Sequence, residues 1–200
     1  MNNLSIALLL FIQLLLTACS PIKTSVSNQY KLESFGTCKS MVKAQQSIFV
    51  SPPEALAGYQ TEQMLYVKKP YGLSSFVHNA WVSSPANMIY PLLLQSLQQT
   101  GYFFAVASGS YVDKADYRLD TQILELEQSF LTKPSVVNFV AKITLTKTAN
   151  QRVIFSRIIT NHVPCPKDTP YGGVVAANKA AQSFTTEVAQ FVVAEIKHND

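Results

Sequence analysis

The residues at positions 16–19 have the side chains needed for attachment of a lipid. They read Leu16-Thr17-Ala18-Cys19, which is an aliphatic residue and two small residues ahead of a cysteine. This order has the form of a lipobox, in which the cysteine sulfur receives diacylglycerol before the preceding segment is cleaved off. The sequence therefore predicts that Cys19 is lipidated and becomes the first residue of the mature chain.

The segment before this cysteine fits an export signal. Residues 4–16 are almost wholly apolar, but a membrane-spanning helix requires about 20 such residues. The shorter run is typical of a secretory signal peptide. An ordinary signal peptide followed by an unmodified cysteine is the alternative. Ser20 stands where an aspartate would favour the inner membrane, so we expect anchoring at the periplasmic face of the outer membrane, with the inner membrane as the second choice.

Two further cysteines, Cys38 and Cys165, lie in the part of the chain that would be exported. Cysteines in an oxidising compartment are usually paired. The sequence leaves two interpretations open, a Cys38–Cys165 disulfide or two separately buried thiols. Neither a metal nor a cofactor is expected, because there is no Cys-x-x-Cys pair and the three histidines are widely spread.

No residue pattern points to catalysis. Residues 72–76 (Gly-Leu-Ser-Ser-Phe) lack the closing glycine of a nucleophile elbow. Asp120, Glu125 and Glu127 stand at strand spacing, where polar side chains normally face water. There is no glycine-rich loop of the kind that binds nucleotide phosphates. We therefore expect neither an enzyme nor the ATPase of a transporter.

Five aromatic residues crowd one stretch of the sequence, namely Tyr59, Tyr66, Tyr71, Phe76 and Trp81. Aromatic side chains are enriched in binding patches, so Tyr59, Tyr66, Tyr71 and Trp81 are candidates for partner contact. Packing within a hairpin and the core is the simpler interpretation.

The chain divides into three parts. Residues 1–18 read as a lipoprotein signal peptide, 19–28 as the lipidated cysteine and a polar tether, and 29–198 as a single periplasmic domain. The formal net charge is only +4, and the longest basic run is Lys68-Lys69. A nucleic-acid partner is therefore not expected.

Hydrophobic periodicity predicts an α+β fold. Strands are indicated by alternation of apolar and polar residues, by β-branched residues, or by flanking turn residues. The predicted strands cover residues 30–35, 47–50, 63–67, 73–77, 102–107, 117–123, 137–145 and 153–159. Helical spacing of apolar residues follows Ser84-Pro85, with Pro91 inside the pattern and Gly101 at its end, and recurs over residues 174–191. We expect a mostly antiparallel sheet with two helices packed on it.

Several short motifs occur in a recognisable order between about Tyr30 and Val193. They are Gly58-Tyr59, Gln63-Met64-Leu65-Tyr66, Trp81 with Pro85, Gly101-Tyr102-Phe103, Ala115-Asp116-Tyr117-Arg118-Leu119 and Ala177-Asn178-Lys179-Ala180. In this order behind a lipobox, they resemble the ABC-type transport auxiliary lipoproteins. The sequence departs from that family at Ala80, where members often carry a basic residue.

The resemblance implies a non-catalytic accessory lipoprotein of an MCE-domain lipid transport system of the paraquat-inducible type. Its partners would be the periplasmic MCE-domain protein with its permease and ATPase, and the membrane through Cys19. A homo-oligomer would match ring-shaped partners. The alternatives are an assembly factor or plug for another outer-membrane complex, and a small periplasmic hydrolase.

Overall fold

The computed structural model describes residues 28–199. Nine strands and two helices make up the fold of this part of the chain. The strands are β1 (Asn28–Tyr30), β2 (Ser47–Val50), β3 (Glu54–Ala55), β4 (Gln63–Lys69), β5 (Gly72–Trp81), β6 (Ala105–Ala107), β7 (Tyr117–Ser129), β8 (Val136–Lys147) and β9 (Arg152–Pro164). The helices are α1 (Pro85–Gln99) and α2 (Pro170–Asn199). Among the described residues, neither helix combines the length and apolar character that crossing a bilayer requires.

Strand β7 is the central element of the sheet. Along one edge it pairs with β8, which in turn pairs with β9, and both pairings are antiparallel. Along its other edge it pairs successively with β2, β3 and β4, all parallel. Beyond these, β6 lies parallel to β2, β5 antiparallel to β4, and β1 parallel to β5.

The predicted α+β class with two helices is confirmed, but the prediction of a mostly antiparallel sheet is wrong. Within residues 28–199, five of the eight strand pairings are parallel (β1–β5, β2–β6, β2–β7, β3–β7 and β4–β7). Parallel neighbours require a long crossover connection, and α1 is part of the chain that leads from β5 to β6 and β7. Short loops join β4 to β5 and link β7, β8 and β9, and these pairings are antiparallel as expected.

One face of the sheet is covered by the helices and forms the core. Helix α2 packs on β8 and β9 and contacts α1. The rings of Phe139 on β8 and Phe184 on α2 are both buried and meet edge to face, with centroids 4.9 Å apart. The opposite face carries mainly polar side chains, so the alternation in the long strands correctly separated the two faces.

Helix α1 begins and ends at the residues that the sequence indicated. Ser84 precedes the helix, although its side chain makes no capping hydrogen bond, and Pro85 occupies the first turn. Pro91 lies inside the helix, which continues to Gln99. Gly101 follows with a φ of 69°, a left-handed conformation that glycine adopts readily after a helix.

The predicted first strand at residues 30–35 is wrong beyond Tyr30, because the backbone there bonds to a helix. The amides of Glu33 and Ser34 donate to Oδ1 of Asn178 on α2, at 2.9 and 3.2 Å. Nδ2 of Asn178 donates to the carbonyl oxygen of Lys31 at 3.1 Å. The side chain of Asn178 therefore makes the hydrogen bonds that a neighbouring strand would otherwise make with this segment. Leu32, within the segment, is buried.

We expect Asn178→Ala to lower the free energy of unfolding by about 1 kcal/mol, because it leaves two backbone amides without their partner in a partly exposed position. Urea unfolding measures the loss, and hydrogen exchange at residues 33 and 34 should accelerate. Lys179→Ala is the matched control, since Lys179 is the exposed neighbour on the same helix. Equal stability of the two variants would contradict the role assigned to Asn178.

Candidate functional site

The four aromatic residues predicted for partner contact do not form one surface. Trp81 is only 4% exposed and belongs to the core, so the prediction that it contacts a partner is wrong. The half-buried Tyr59 donates its hydroxyl to Oε2 of Glu127 at 2.7 Å, and burial together with this carboxylate raises its pKa. Tyr66 and Tyr71 lie in the β4–β5 hairpin, where Tyr66 is half-buried and Tyr71 is fully exposed.

Three aromatic rings brace this hairpin against the end of β7. The centroid of Tyr66 is 4.5 Å from that of Phe76 and 6.1 Å from that of Phe130. The amide of Phe130 donates to the carbonyl oxygen of Val67 at 2.8 Å. Nζ of Lys68 lies 5.0 Å from the Tyr66 centroid and 5.9 Å from that of Phe130, within cation–π range. The cluster holds the hairpin and the loop after β7 together.

Above this cluster, an exposed surface combines apolar and basic side chains. It consists of Lys68, Lys69, Tyr71, Leu73, Leu131 and Lys133, and we call it the tip surface. Tyr71 has a φ of 64°, which a bulky residue rarely adopts. The chemistry of this surface suits contact with an amphipathic partner.

A second exposed apolar group lies at the opposite end of the molecule. It consists of Met41, Val42 and Phe104, with Lys39 and Lys43 beside them, and we call it the far-end surface. Backbone hydrogen bonds join the two segments that carry it, from Ser40 to Thr100, from Ala44 to Tyr102 and from Phe104 to Gln46. Sequence reasoning missed this group because residues 39–46 have no periodicity.

Helix α2 separates the two ends. It has 30 residues, which correspond to about 45 Å. Its first turn lies beside the loop after β7, where Nε2 of Gln128 donates to the carbonyl oxygen of Thr169 at 3.2 Å. Its last turn lies near the far-end surface, where Nζ of Lys197 donates to Oγ of Ser40 at 3.3 Å.

The same separation explains why the two thiols are not bridged. Cys19 lies outside the described residues, and Cys38 and Cys165 are both free. Cys38 lies close enough to Lys197 for its charge to act on the thiol, whereas Cys165 comes just before the start of α2. A disulfide requires Cα atoms within about 7 Å, so of the two interpretations the structure contains separate thiols.

Neither thiol resembles a catalytic nucleophile. Burial raises the pKa of Cys38 and of Cys165, which keeps both in the neutral and less reactive form. The amide nitrogen Nε2 of Gln128 approaches Sγ of Cys165 at 3.5 Å. Sequence reasoning assigned no catalytic role to these residues, and their surroundings agree with structural packing.

A polar cleft of about 320 Å³ lies on the open face of the sheet. In it, Oγ of Ser51 donates to Asp120 at 2.6 Å, and Nε of Arg118 donates to the other carboxylate oxygen at 2.9 Å. The carboxylate of Asp120 is thus held by two donors, and no histidine lines the cleft to act as a base. Within residues 28–199, no cluster of three or more histidine, cysteine or acidic side chains could hold a metal ion.

Asp116 joins the start of β2 to β7. Its Oδ2 accepts hydrogen bonds from the amide and from the hydroxyl of Ser47, both at 2.7 Å. These two bonds hold the pKa of Asp116 below its ordinary value of 3.8, the backbone bond having the larger effect. The residue belongs to one of the motifs that resemble the family, and its role here is structural.

We expect Asp116→Asn to be less stable than the wild-type protein at pH 7 and to approach it at low pH. A carboxylate with a lowered pKa in the folded state stabilises the fold above the pKa of the unfolded chain, and this contribution is lost as the pH falls through the folded value. Urea unfolding at pH 7 and at pH 3 measures the difference. A gap between the two proteins that does not narrow on acidification would contradict this assignment.

Comparison with known proteins adds to the geometry. The family model for the ABC-type transport auxiliary lipoprotein component matches residues 30–189. The fold is similar to that of protein XCC0632 from Xanthomonas campestris, of the DUF330 family, with a TM-score of 0.78 and 17% identity over 86% of this chain and 98% of that one. The hypothetical protein CT253 from Chlamydia trachomatis is similar with a TM-score of 0.52 and 8% identity, over 77% of this chain and 99% of that one.

No protein of curated function matches the sequence at a significant level. The two solved structures are too distant in sequence to show more than the fold. The family model covers most of the chain, and its bounds nearly coincide with the motifs and with the folded part. The chain therefore belongs to the family of ABC-type transport auxiliary lipoprotein components.

Proposed function

We propose that this protein is a non-catalytic accessory lipoprotein of an MCE-type ABC lipid transport system. Its lipidated Cys19 anchors it to the periplasmic face of the outer membrane, and its folded domain docks on the periplasmic MCE-domain protein. The observation that carries the proposal is the match to the auxiliary-lipoprotein family over residues 30–189, directly behind the lipobox. The hydrogen-bonded carboxylates of Asp120 and Glu127 and the unpaired thiols of Cys38 and Cys165 agree with a role in binding rather than in catalysis.

The position of the anchor supports the far-end surface as the docking site. The chain enters the fold at Asn28, and β1 runs parallel to β5, which starts at the hairpin tip. In the proposed arrangement, the end of the domain that carries the tip surface faces the membrane. The far-end surface then points away from the membrane, toward a conduit that rises from the inner membrane. Its apolar side chains and two lysines fit an apolar patch with acidic neighbours on the partner.

Affinity purification of the intact lipoprotein from gently solubilised envelopes, followed by mass spectrometry, tests the proposal. We expect the MCE-domain protein to be recovered with its permease and ATPase. Cys19→Ala is the control that shows which partners depend on the anchor. Recovery of an outer-membrane barrel without any MCE-domain protein would contradict the proposal.

We expect Phe104→Asp to reduce recovery of the MCE-domain protein while the fold stays intact. A charge on an exposed ring at the centre of an interface costs about 2 kcal/mol or more in binding, which is roughly a 30-fold loss of affinity. Leu131→Asp, on the tip surface, is the matched control and should retain the partner. If both variants recover the partner equally, the far-end surface is not the docking site.

A further inference from the structure

We infer that the tip surface is a membrane-contact site, with Tyr71, Leu73 and Leu131 seated among the lipid headgroups and Lys68, Lys69 and Lys133 on their phosphates. The inference rests on the proposed Cys19 anchor and goes beyond it, because it assigns a second contact with the bilayer to the folded domain. The partner is a lipid surface with anionic headgroups. Three observations carry it, namely the reach of the anchor, the composition of the surface and the conformation of Tyr71.

The reach of the anchor places the tip surface near the bilayer. Nine residues lead from Cys19 to Asn28 and can span at most about 30 Å. Asn28 pairs with Asn79 on β5, and the first residue of that strand, Gly72, lies seven residues nearer the tip, which is about 23 Å. β1 runs parallel to β5, from the tip side of the sheet toward Trp81. The anchor can thus hold the tip at the membrane surface.

The distance from Asn28 also distinguishes the tip surface from the far-end surface. Both surfaces carry exposed apolar side chains beside lysines. The far-end surface, however, lies beyond the opposite end of the roughly 45 Å helix α2. From Asn28, the far-end surface lies past the start of β7 and farther away than the tip surface, so the length of the tether favours the tip surface for contact with the bilayer.

The composition of the tip surface suits the interface between water and hydrocarbon. Tyr71 is fully exposed, and Leu73 and Leu131 are 44% and 51% exposed. Tyrosine is enriched at membrane interfaces, where its ring is buried and its hydroxyl remains hydrated. A lysine near an anionic membrane surface is attracted to it, and its aliphatic stem can lie along apolar groups.

The conformation of Tyr71 indicates that its ring is needed outside the fold. At a φ of 64°, glycine or asparagine is the residue that a turn would ordinarily contain, and other residues adopt this left-handed conformation only at an energetic cost. The fully exposed ring gains no packing within the domain that would offset this cost. Contact with lipid would supply that packing. The Tyr66, Phe76 and Phe130 cluster beneath keeps the tip in place.

Fluorescence of the mature lipidated protein in vesicles tests this inference. Trp81 is the single tryptophan of the chain and is buried, so its emission is a constant background. The spectrum of the wild-type protein gives this background, which is subtracted from that of each variant. Tyr71→Trp places a reporter on the tip surface, and Phe104→Trp places the matched reporter on the far-end surface. The vesicles contain phosphatidylglycerol and phosphatidylethanolamine, the latter with brominated acyl chains as quenchers. Leu131→Trp is a second tip reporter if Tyr71→Trp folds poorly.

We expect the emission added by Tyr71→Trp to shift to the blue and to lose most of its intensity in brominated vesicles. Bromine close to the headgroup should quench most, since interfacial side chains reach only about 5–10 Å into the bilayer. The emission added by Phe104→Trp should match that in unbrominated vesicles. Tip reporters that stay unquenched while the protein floats with the vesicles would overturn the inference and leave the anchor intact. Protein that does not float with the vesicles would overturn the anchor, and the inference with it.

Discussion

Replacing Cys19 with alanine will abolish incorporation of labelled palmitate and remove the protein from the outer-membrane fraction. In the lipobox interpretation, the thiol of Cys19 is the group that is acylated, and no other residue among positions 16–19 has a thiol. Each buried methylene contributes about 0.8 kcal/mol, and stable anchoring takes two chains. A lipoprotein cysteine carries two or three, so their loss removes nearly all of the affinity for the membrane. Density-gradient fractionation together with autoradiography measures both effects.

Cys38→Ala is the matched control for that experiment. Cys38 is a free thiol in the folded part of the chain, and its pKa is raised by burial. This variant should incorporate palmitate and fractionate like the wild-type protein. Palmitate retained by Cys19→Ala would show that the lipid is attached elsewhere, and a wild-type protein that incorporates no palmitate would favour an unmodified cysteine behind an ordinary signal peptide.

Replacing Phe184 with alanine will cost about 3–5 kcal/mol of the free energy of unfolding, because it removes a fully buried ring and leaves a cavity. Phe184 lies at the centre of α2, against Phe139 on β8. The pair joins the long helix to the sheet. Since small domains are stable by only about 5–15 kcal/mol, we expect a large fall in the urea midpoint of unfolding, with little change in the slope of the transition.

Ser183→Ala controls for the change in helix propensity. Ser183 is the exposed neighbour of Phe184 on the same helix, and its replacement should alter the urea midpoint only slightly. A loss below about 1 kcal/mol for Phe184→Ala would mean that the helix repacks or that it docks on the sheet less tightly than the structure shows.

The motifs that carry the family resemblance prove to be structural rather than chemical. Asn178 holds residues 31–34 against α2, and Asp116 joins β2 to β7. Trp81 and Tyr102 are buried in the core. Such motifs identify the fold, and through it the family, without marking the surface that meets a partner. None of the residues that define the tip surface or the far-end surface belongs to these motifs. Tyr66 does belong to one of them, and it lies beneath the tip surface.

Lipidation of Cys19 stays a prediction from its lipobox. Local patterns in the chain were enough to predict the long strands β7 to β9 and the helix α2. Each of these depends on side chains that are close in sequence, where a period of two or of 3.6 residues separates a buried face from an exposed one. The same patterns carry no information on which strand lies beside which. An alternating strand has the same two faces in a parallel and in an antiparallel pair, so the parallel return of β2, β3 and β4 to one edge of β7 became visible only in the folded chain.

The candidate surfaces depend on tertiary structure for the same reason. Tyr71 and Leu131 are 60 positions apart in the sequence, and only the pairing of β4 with β7 brings their loops together. Residues 41 and 104 meet because backbone hydrogen bonds join two segments that have no periodicity of their own. Trp81 is of a residue type that is common in contact surfaces, but here the core covers it. Burial is decided by what packs on a side chain rather than by its type.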